Sequence, residues 1–208
     1  PQALFNIGSV YRAIAVYSES AYYYELYAKN HAKFSDKLLR KALARGAKFR
    51  RALGQYDAAA KNYVTYYKKF SKDQKAGDVF FEIGLIYENQ KNWKKVIKHF
   101  KKYLKAYRKT APKGHIIAAH TKMGIAHWAK KKKKPALKEF ATALDLFKQI
   151  QEDAKTGKGE GAISTGGLDA VAAAKFYEGE VVLEQMKKVK LKLPQKVFTQ
   201  RLQQKITL

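Results

Sequence analysis

The chain has 208 residues, 46% of them hydrophobic and 13% aromatic, enough to bury a sizeable core and too many for a disordered polymer. Its 43 Lys and Arg against 17 acidic residues leave a formal charge of +26, a field that attracts acidic protein segments, nucleic acid and anionic lipid or polysaccharide. Cysteine is absent, which excludes disulfides and thiolate metal sites, and no run of about 18 apolar residues offers a membrane span.

The sequence opens Pro1-Gln2-Ala3 with neither a methionine nor an apolar leader, as expected of a processed or excised piece of a larger chain. From there, four segments repeat in order: LFNIGSVYRAIAVYSESAYYYELY around Gly8, LARGAKFRRALGQYDAAAKNYVTY around Ala47, FFEIGLIYENQKNWKKVIKHFKKY around Gly84 and HTKMGIAHWAKKKKKPALKEFATA around Gly124. The anchors lie 39, 37 and 40 residues apart. Four residues before each anchor stand Leu4, Leu43, Phe80 and His120, and three after stand Tyr11, Arg50, Tyr87 and His127. Twelve after come Ser20, Ala59, Val96 and Ala136; sixteen after come Tyr24, Tyr63, Phe100 and Phe140; nineteen after come Tyr27, Tyr66, Tyr103 and Ala143. Spacings of three and four within each half describe the buried stripe of a helix. Small residues beside aromatics describe two helices crossing closely.

Phe80, Ile83, Gly84, Tyr87, Val96 and Phe100 carry this pattern most completely, and in that form it resembles the tetratricopeptide repeat. The resemblance implies an all-α fold, a right-handed α-solenoid of antiparallel helix hairpins. Residues 1–150 would hold four repeats, with Ala47 standing for a usual glycine, Arg50 for a usual aromatic, and a period longer than the common ~34. The lysine run Lys130 to Lys134 then falls at the inter-helix turn of repeat four, Lys130 to Lys132 aligning with Gln90-Lys91-Asn92 of repeat three, and Pro135 falls in the first turn of the next helix, where a missing N–H is harmless. That lysine run reads as a solvated turn and a concentrated basic patch.

Residues 151–168 read as a glycine-rich linker. They lack the phosphate-cradling G-x-x-x-x-G-K-[ST], and Ala162 breaks G-x-G-x-x-G, so no cofactor is expected. Residues 169–208 read as C-terminal helices. One is capped by Asp169 with Ala170, Ala173, Ala174, Tyr177, Val181 and Met186 near one face; Pro194 opens a last one with Val197, Leu202 and Ile206. They form a degenerate fifth repeat or the start of a further segment. From Ala170 onward the chain also resembles large tetratricopeptide proteins of delta-proteobacterial cell envelopes and gliding machinery. That resemblance favours a bacterial periplasm or envelope over the cytoplasm.

No catalytic constellation appears: Glu25, Glu82, Glu139 and Glu178 are scattered over helices, so the chain reads as non-catalytic. His120 and His127 lie seven apart at positions that, Arg50 aside, are apolar or aromatic in other repeats, which points to packed core histidines and not to a metal. Tetratricopeptide arrays use the concave groove lined by their first helices. By that resemblance the partner-facing residues are Phe5, Asn6, Ser9 and Arg12 in repeat one, and Lys41, Arg45, Lys48 and Arg51 in repeat two. Repeat three contributes Asp78, Phe81, Glu82, Leu85 and Glu88, and repeat four Thr121, Lys122, Ile125 and Trp128. Phe5 and Ser9 stand where the family's carboxylate clamp has Lys and Asn, so that subtype is not expected. The implied partner is an acidic or amphipathic peptide or helix, within a larger complex. The alternatives are unspecific nucleic-acid binding and contact with anionic lipid or polysaccharide.

Overall fold

The computed structural model describes residues 1–157, 163–190 and 195–207. Among these the chain forms ten helices and no strand: α1 Gln2–Ala13, α2 Tyr17–Asn30, α3 Asp36–Ala52, α4 Tyr56–Lys69, α5 Ala76–Asn89, α6 Trp93–Tyr107, α7 Lys113–Ala129, α8 Lys133–Lys155, α9 Thr165–Lys188 and α10 Gln195–Ile206. Two compact units result, Pro1–Ala111 and Pro112–Leu208. In the first, each helix from α1 to α6 packs on the next; in the second, α7 and α8 pair and α9 packs on both.

One turn is used four times. Ala15, Gly54, Lys91 and Lys131 adopt left-handed backbone (φ 59°, 74°, 53° and 57°), each seven residues past an anchor. The following N–H groups reach back over the helix end: Val16 to Tyr11, Gln55 to Arg50, Asn92 to Tyr87 and Lys132 to His127, at 2.8–2.9 Å. This is the Schellman closure, which satisfies the orphan carbonyls and reverses the chain within three residues. Only one of the four left-handed residues is glycine, although a side chain there costs about 1–2 kcal/mol. Lys91→Gly and Lys131→Gly are therefore each expected to stabilise by about 0.5–1 kcal/mol after the extra flexibility of unfolded glycine is subtracted. Gly54→Ala should move the urea midpoint the other way, and identical midpoints in all three variants would contradict the assignment.

The core follows the repeat register. Ser20, Ala59, Val96 and Ala136 are all fully buried where the two helices of a pair approach, and Tyr24, Phe100 and Phe140 are fully buried beside them. The approach is close: the Ser20 hydroxyl donates to the Gly8 carbonyl at 2.7 Å. A Cβ on Gly84 would stand 2.5 Å from Phe100 Cζ, and one on Gly124 2.4 Å from Phe140 Cε1. Glycine is required at these two anchors because an aromatic ring occupies the space of a side chain.

The helices extend further into the glycine-rich stretch than propensity indicates. Helix α8 runs to Lys155, and α9 starts at Thr165, capped by Ser164, whose hydroxyl accepts from Gly167 N, and not by Asp169. Gly166 and Gly167 thus sit inside a helix despite their poor propensity. Packing explains it: a Cβ on Gly167 would lie 2.9 Å from Gly114 Cα, so α9 and α7 cross almost backbone to backbone. Thr121 Oγ1 fixes the crossing by donating to the Ala170 carbonyl at 3.1 Å. Residues 158–162 of the glycine-rich stretch and the leucine–proline turn at Leu193-Pro194 lie outside the described residues.

Candidate partner-binding surface

Helix α3 positions the densest set of partner-facing candidates. Its Ser35 cap accepts from Leu38 N, and Leu39, Ala42, Leu43, Gly46 and Ala47 form the buried face. Seven basic residues occupy the remaining surface: Lys37, Arg40, Lys41, Arg45, Lys48, Arg50 and Arg51. Packing commits four of them. Arg40 pairs with Asp73 at 3.1 Å, and Asp73 is held below the usual carboxylate range by the Lys75 backbone N–H and the Tyr66 hydroxyl, despite some burial. Arg50 grips Glu25 with two N–H groups (3.0 and 2.6 Å), and Asn62 donates to the same carboxylate at 2.7 Å. Arg51 pairs with Glu82 on α5. Arg45 donates to the Tyr24 hydroxyl at 2.9 Å, and its guanidinium lies 5.6 Å from the Phe5 ring centroid.

Lys37, Lys41 and Lys48 are exposed and make no ion pair among the described residues. At ~100° per residue they share one side of α3 with Arg45, within about 80°. Arg45 reaches Tyr24, whose hydroxyl is 3.0 Å from that of Ser9 on α1; Lys48 acts on Glu82 of α5; and Lys37 and Lys41 share a cleft with Arg40, Tyr66 and Asp73. Burial raises the Glu82 carboxyl above its ordinary pKa even against the pull of Arg51 and Lys48. The surface expected to be basic in repeat two and acidic in repeat three is thus cross-linked by the Arg51–Glu82 pair, and its uncompensated charge is positive.

The other candidates divide. Asn6 and Arg12 are exposed on α1, and Leu85 and Glu88 are half-buried on α5. Phe5 and Phe81, expected to face a partner, are instead buried. Phe5 packs at 5.2 Å on Tyr24 and Phe81 at 5.4 Å on Phe100. Both stand three residues before an anchor, where a large ring reaches the second helix of its own pair. Thr121 holds the same position and is buried against α9. In the second unit Lys122 and Ile125 are half-buried, and Trp128 packs at 5.2 Å on Tyr177 with Lys133 over its ring.

All of Lys130 to Lys134 are exposed: Lys130 is the C-cap of α7, Lys131 is the left-handed turn residue, and Lys133 opens α8 and pairs with Glu184. His120 donates from Nδ1 to the Glu139 carboxylate at 2.7 Å. His99 donates from Nε2 to the Phe80 carbonyl at 2.6 Å, and burial lowers its pKa. Among the described residues no three His, Asp or Glu side chains gather as a metal site, and no helix is long and apolar enough to cross a membrane. Arg50, Glu25 and Asn62 were not marked as a unit by sequence; the only signal was Arg50 in place of a repeated aromatic.

No family model matches the sequence, and no curated protein matches it. Solved structures do. The chain is 17% identical to MamA residues 41–end from Desulfovibrio magneticus RS-1, with a TM-score of 0.54 over 72% of this chain and 76% of that one. It is 15% identical to the nearly identical TPR-like repeats of a Podosopora anserina putative kinesin light chain, with a TM-score of 0.55 over 99% and 93%. It is 12% identical to BtubC (BKLC) from P. vanneervenii, with a TM-score of 0.52 over 84% and 78%. The fold is that of an all-α tetratricopeptide-repeat solenoid.

Proposed function

We propose that the chain is a non-catalytic interaction scaffold that captures an acidic, amphipathic protein segment along α3, between the exposed faces of α1 and α5. The observation that carries this reading is the division of charge on α3: three arginines are matched by carboxylates, while Lys37, Lys41 and Lys48 line one side unmatched, with Arg45 held among them. Fixed cations set the register of an acidic segment, and half-buried Leu85 offers an apolar contact beside them. Tyr24, Tyr63 and Phe100, the aromatics of the repeat register, are buried in the core and so are not offered for base stacking. The resemblance of the last forty or so residues to envelope-associated repeat proteins supports a place in a larger bacterial assembly.

A fluorescent glutamate- and leucine-rich helical peptide tests the reading by anisotropy at about 150 mM salt. Lys41→Glu/Lys48→Glu is expected to weaken capture at least roughly tenfold, through lost attraction and new repulsion. Unchanged affinity in that variant removes α3 from the binding surface.

A further inference from the structure

Helix α6 presents a second basic surface that partner capture on α3 does not use. It carries Lys94, Lys95, Lys98, Lys101, Lys102 and Lys105 and no acidic residue, and the chain has none at all between Glu88 and Glu139. Val96, His99, Phe100 and Tyr103 form the buried side of the helix. At ~100° per residue, Lys94, Lys98, Lys101 and Lys105 fall within about 60° of one another on the opposite side, over about 16 Å of helix axis. All four are exposed, as is Arg108 at the C-cap, and none makes an ion pair among the described residues.

The row works against its own helix. Lys94 repels Lys98 and Lys101 repels Lys105 at i,i+4. Lys94 and Lys95 also stand in the first turn, where the helix dipole disfavours cations. By contrast α3 spends its arginines on Asp73, Glu25 and Glu82. A local rule broken with no compensating contact inside the fold marks a surface shaped by something outside it.

We propose that this row docks the protein on an anionic phospholipid surface. The exposed large apolar side chains all lie on other elements, so the α6 face offers neither a pocket for a peptide's apolar anchors nor a ring for a base. Lysine ammoniums are point charges on flexible stems, without the fork that reads phosphate in fixed geometry. A straight row on a rod meets a plane along its whole length. Each lysine held at an acidic leaflet raises partitioning by about fivefold.

The test is sedimentation of the whole chain with phosphatidylcholine vesicles, with and without phosphatidylglycerol, at about 150 mM salt. The wild type is expected to partition into the phosphatidylglycerol vesicles alone. Lys98→Gln/Lys101→Gln/Lys105→Gln should lower that partitioning on the order of 100-fold, with the helical circular dichroism kept because glutamine is a good helix former. Lys37→Gln/Lys41→Gln/Lys48→Gln changes the net charge equally and should lower it only a few-fold. Equal losses in the two variants, or no preference for phosphatidylglycerol, overturn the proposal. Displacement from the vesicles by duplex RNA at matched phosphate concentration overturns it in favour of nucleic acid. The α6 variant should retain wild-type capture of the acidic peptide, so failure here and failure of the α3 reading appear in separate measurements.

Discussion

Phe100→Ala is expected to destabilise the Pro1–Ala111 unit by about 3–5 kcal/mol. The ring is fully buried, with Phe81 and Tyr103 at 5.4 and 6.4 Å and His99 at 6.0 Å between centroids. It also fills the space above Gly84, where no side chain remains to collapse into the hole. The loss therefore combines about 2–3 kcal/mol of apolar transfer with a cavity that the packed helices cannot close. At roughly 4–8 °C per kcal/mol for a unit of this size, the first unit's thermal midpoint should fall by about 15 °C or more. A loss below about 1 kcal/mol would mean that the ring is not the keystone of this pair.

Gly124→Val should cost about 3 kcal/mol or more in the second unit. A Cβ there would lie 2.4, 2.6 and 2.9 Å from three atoms of the Phe140 ring, well inside contact distance. The ring has little room to retreat, because Tyr177 of α9 stacks on it at 4.9 Å and 4°. Gly179→Ala serves as the internal contrast. Nothing lies within 4 Å of a Cβ at Gly179 in the middle of α9, so alanine there is expected to stabilise by about 0.5–1 kcal/mol. If chemical denaturation gave both variants the same sign, glycine at the anchor would be a matter of backbone freedom and not of a ring in its way.

The repeat was legible because its signal is periodic and hydrophobic. Gly8, Gly84 and Gly124 share a register with Tyr24, Phe100 and Phe140, and burial follows that register residue by residue. The turns were located by alignment, but their left-handed residues were hidden, since Ala15, Lys91 and Lys131 carry none of the glycine signal of Gly54. The start of α9 was hidden for the opposite reason. Gly166 and Gly167 read as a linker until the close crossing at Gly114 shows what the small size of Gly167 permits.

Side-chain fates were the least legible. Spacing places Phe5 and Phe81 beside an anchor, but only packing shows that rings of that size reach Tyr24 and Phe100. Arg50 finds Glu25 and Arg51 finds Glu82, 25 and 31 residues away, and nothing local selects such partners. Once those pairs are drawn, the basic helix expected from composition resolves into committed arginines and a line of uncommitted lysines. The uncommitted cations on α3 and α6, more than the net charge of +26, are what the proposed functions rest on.

The most direct measurement is a map of backbone amide NMR shifts in the full chain as the acidic amphipathic peptide is titrated. Capture along α3 predicts the largest changes at Lys37, Lys41, Arg45 and Lys48, with smaller ones at Ser9, Glu82 and Leu85, and α6 left undisturbed. Changes centred on Lys94 to Lys105, or spread evenly over every exposed lysine, would contradict it.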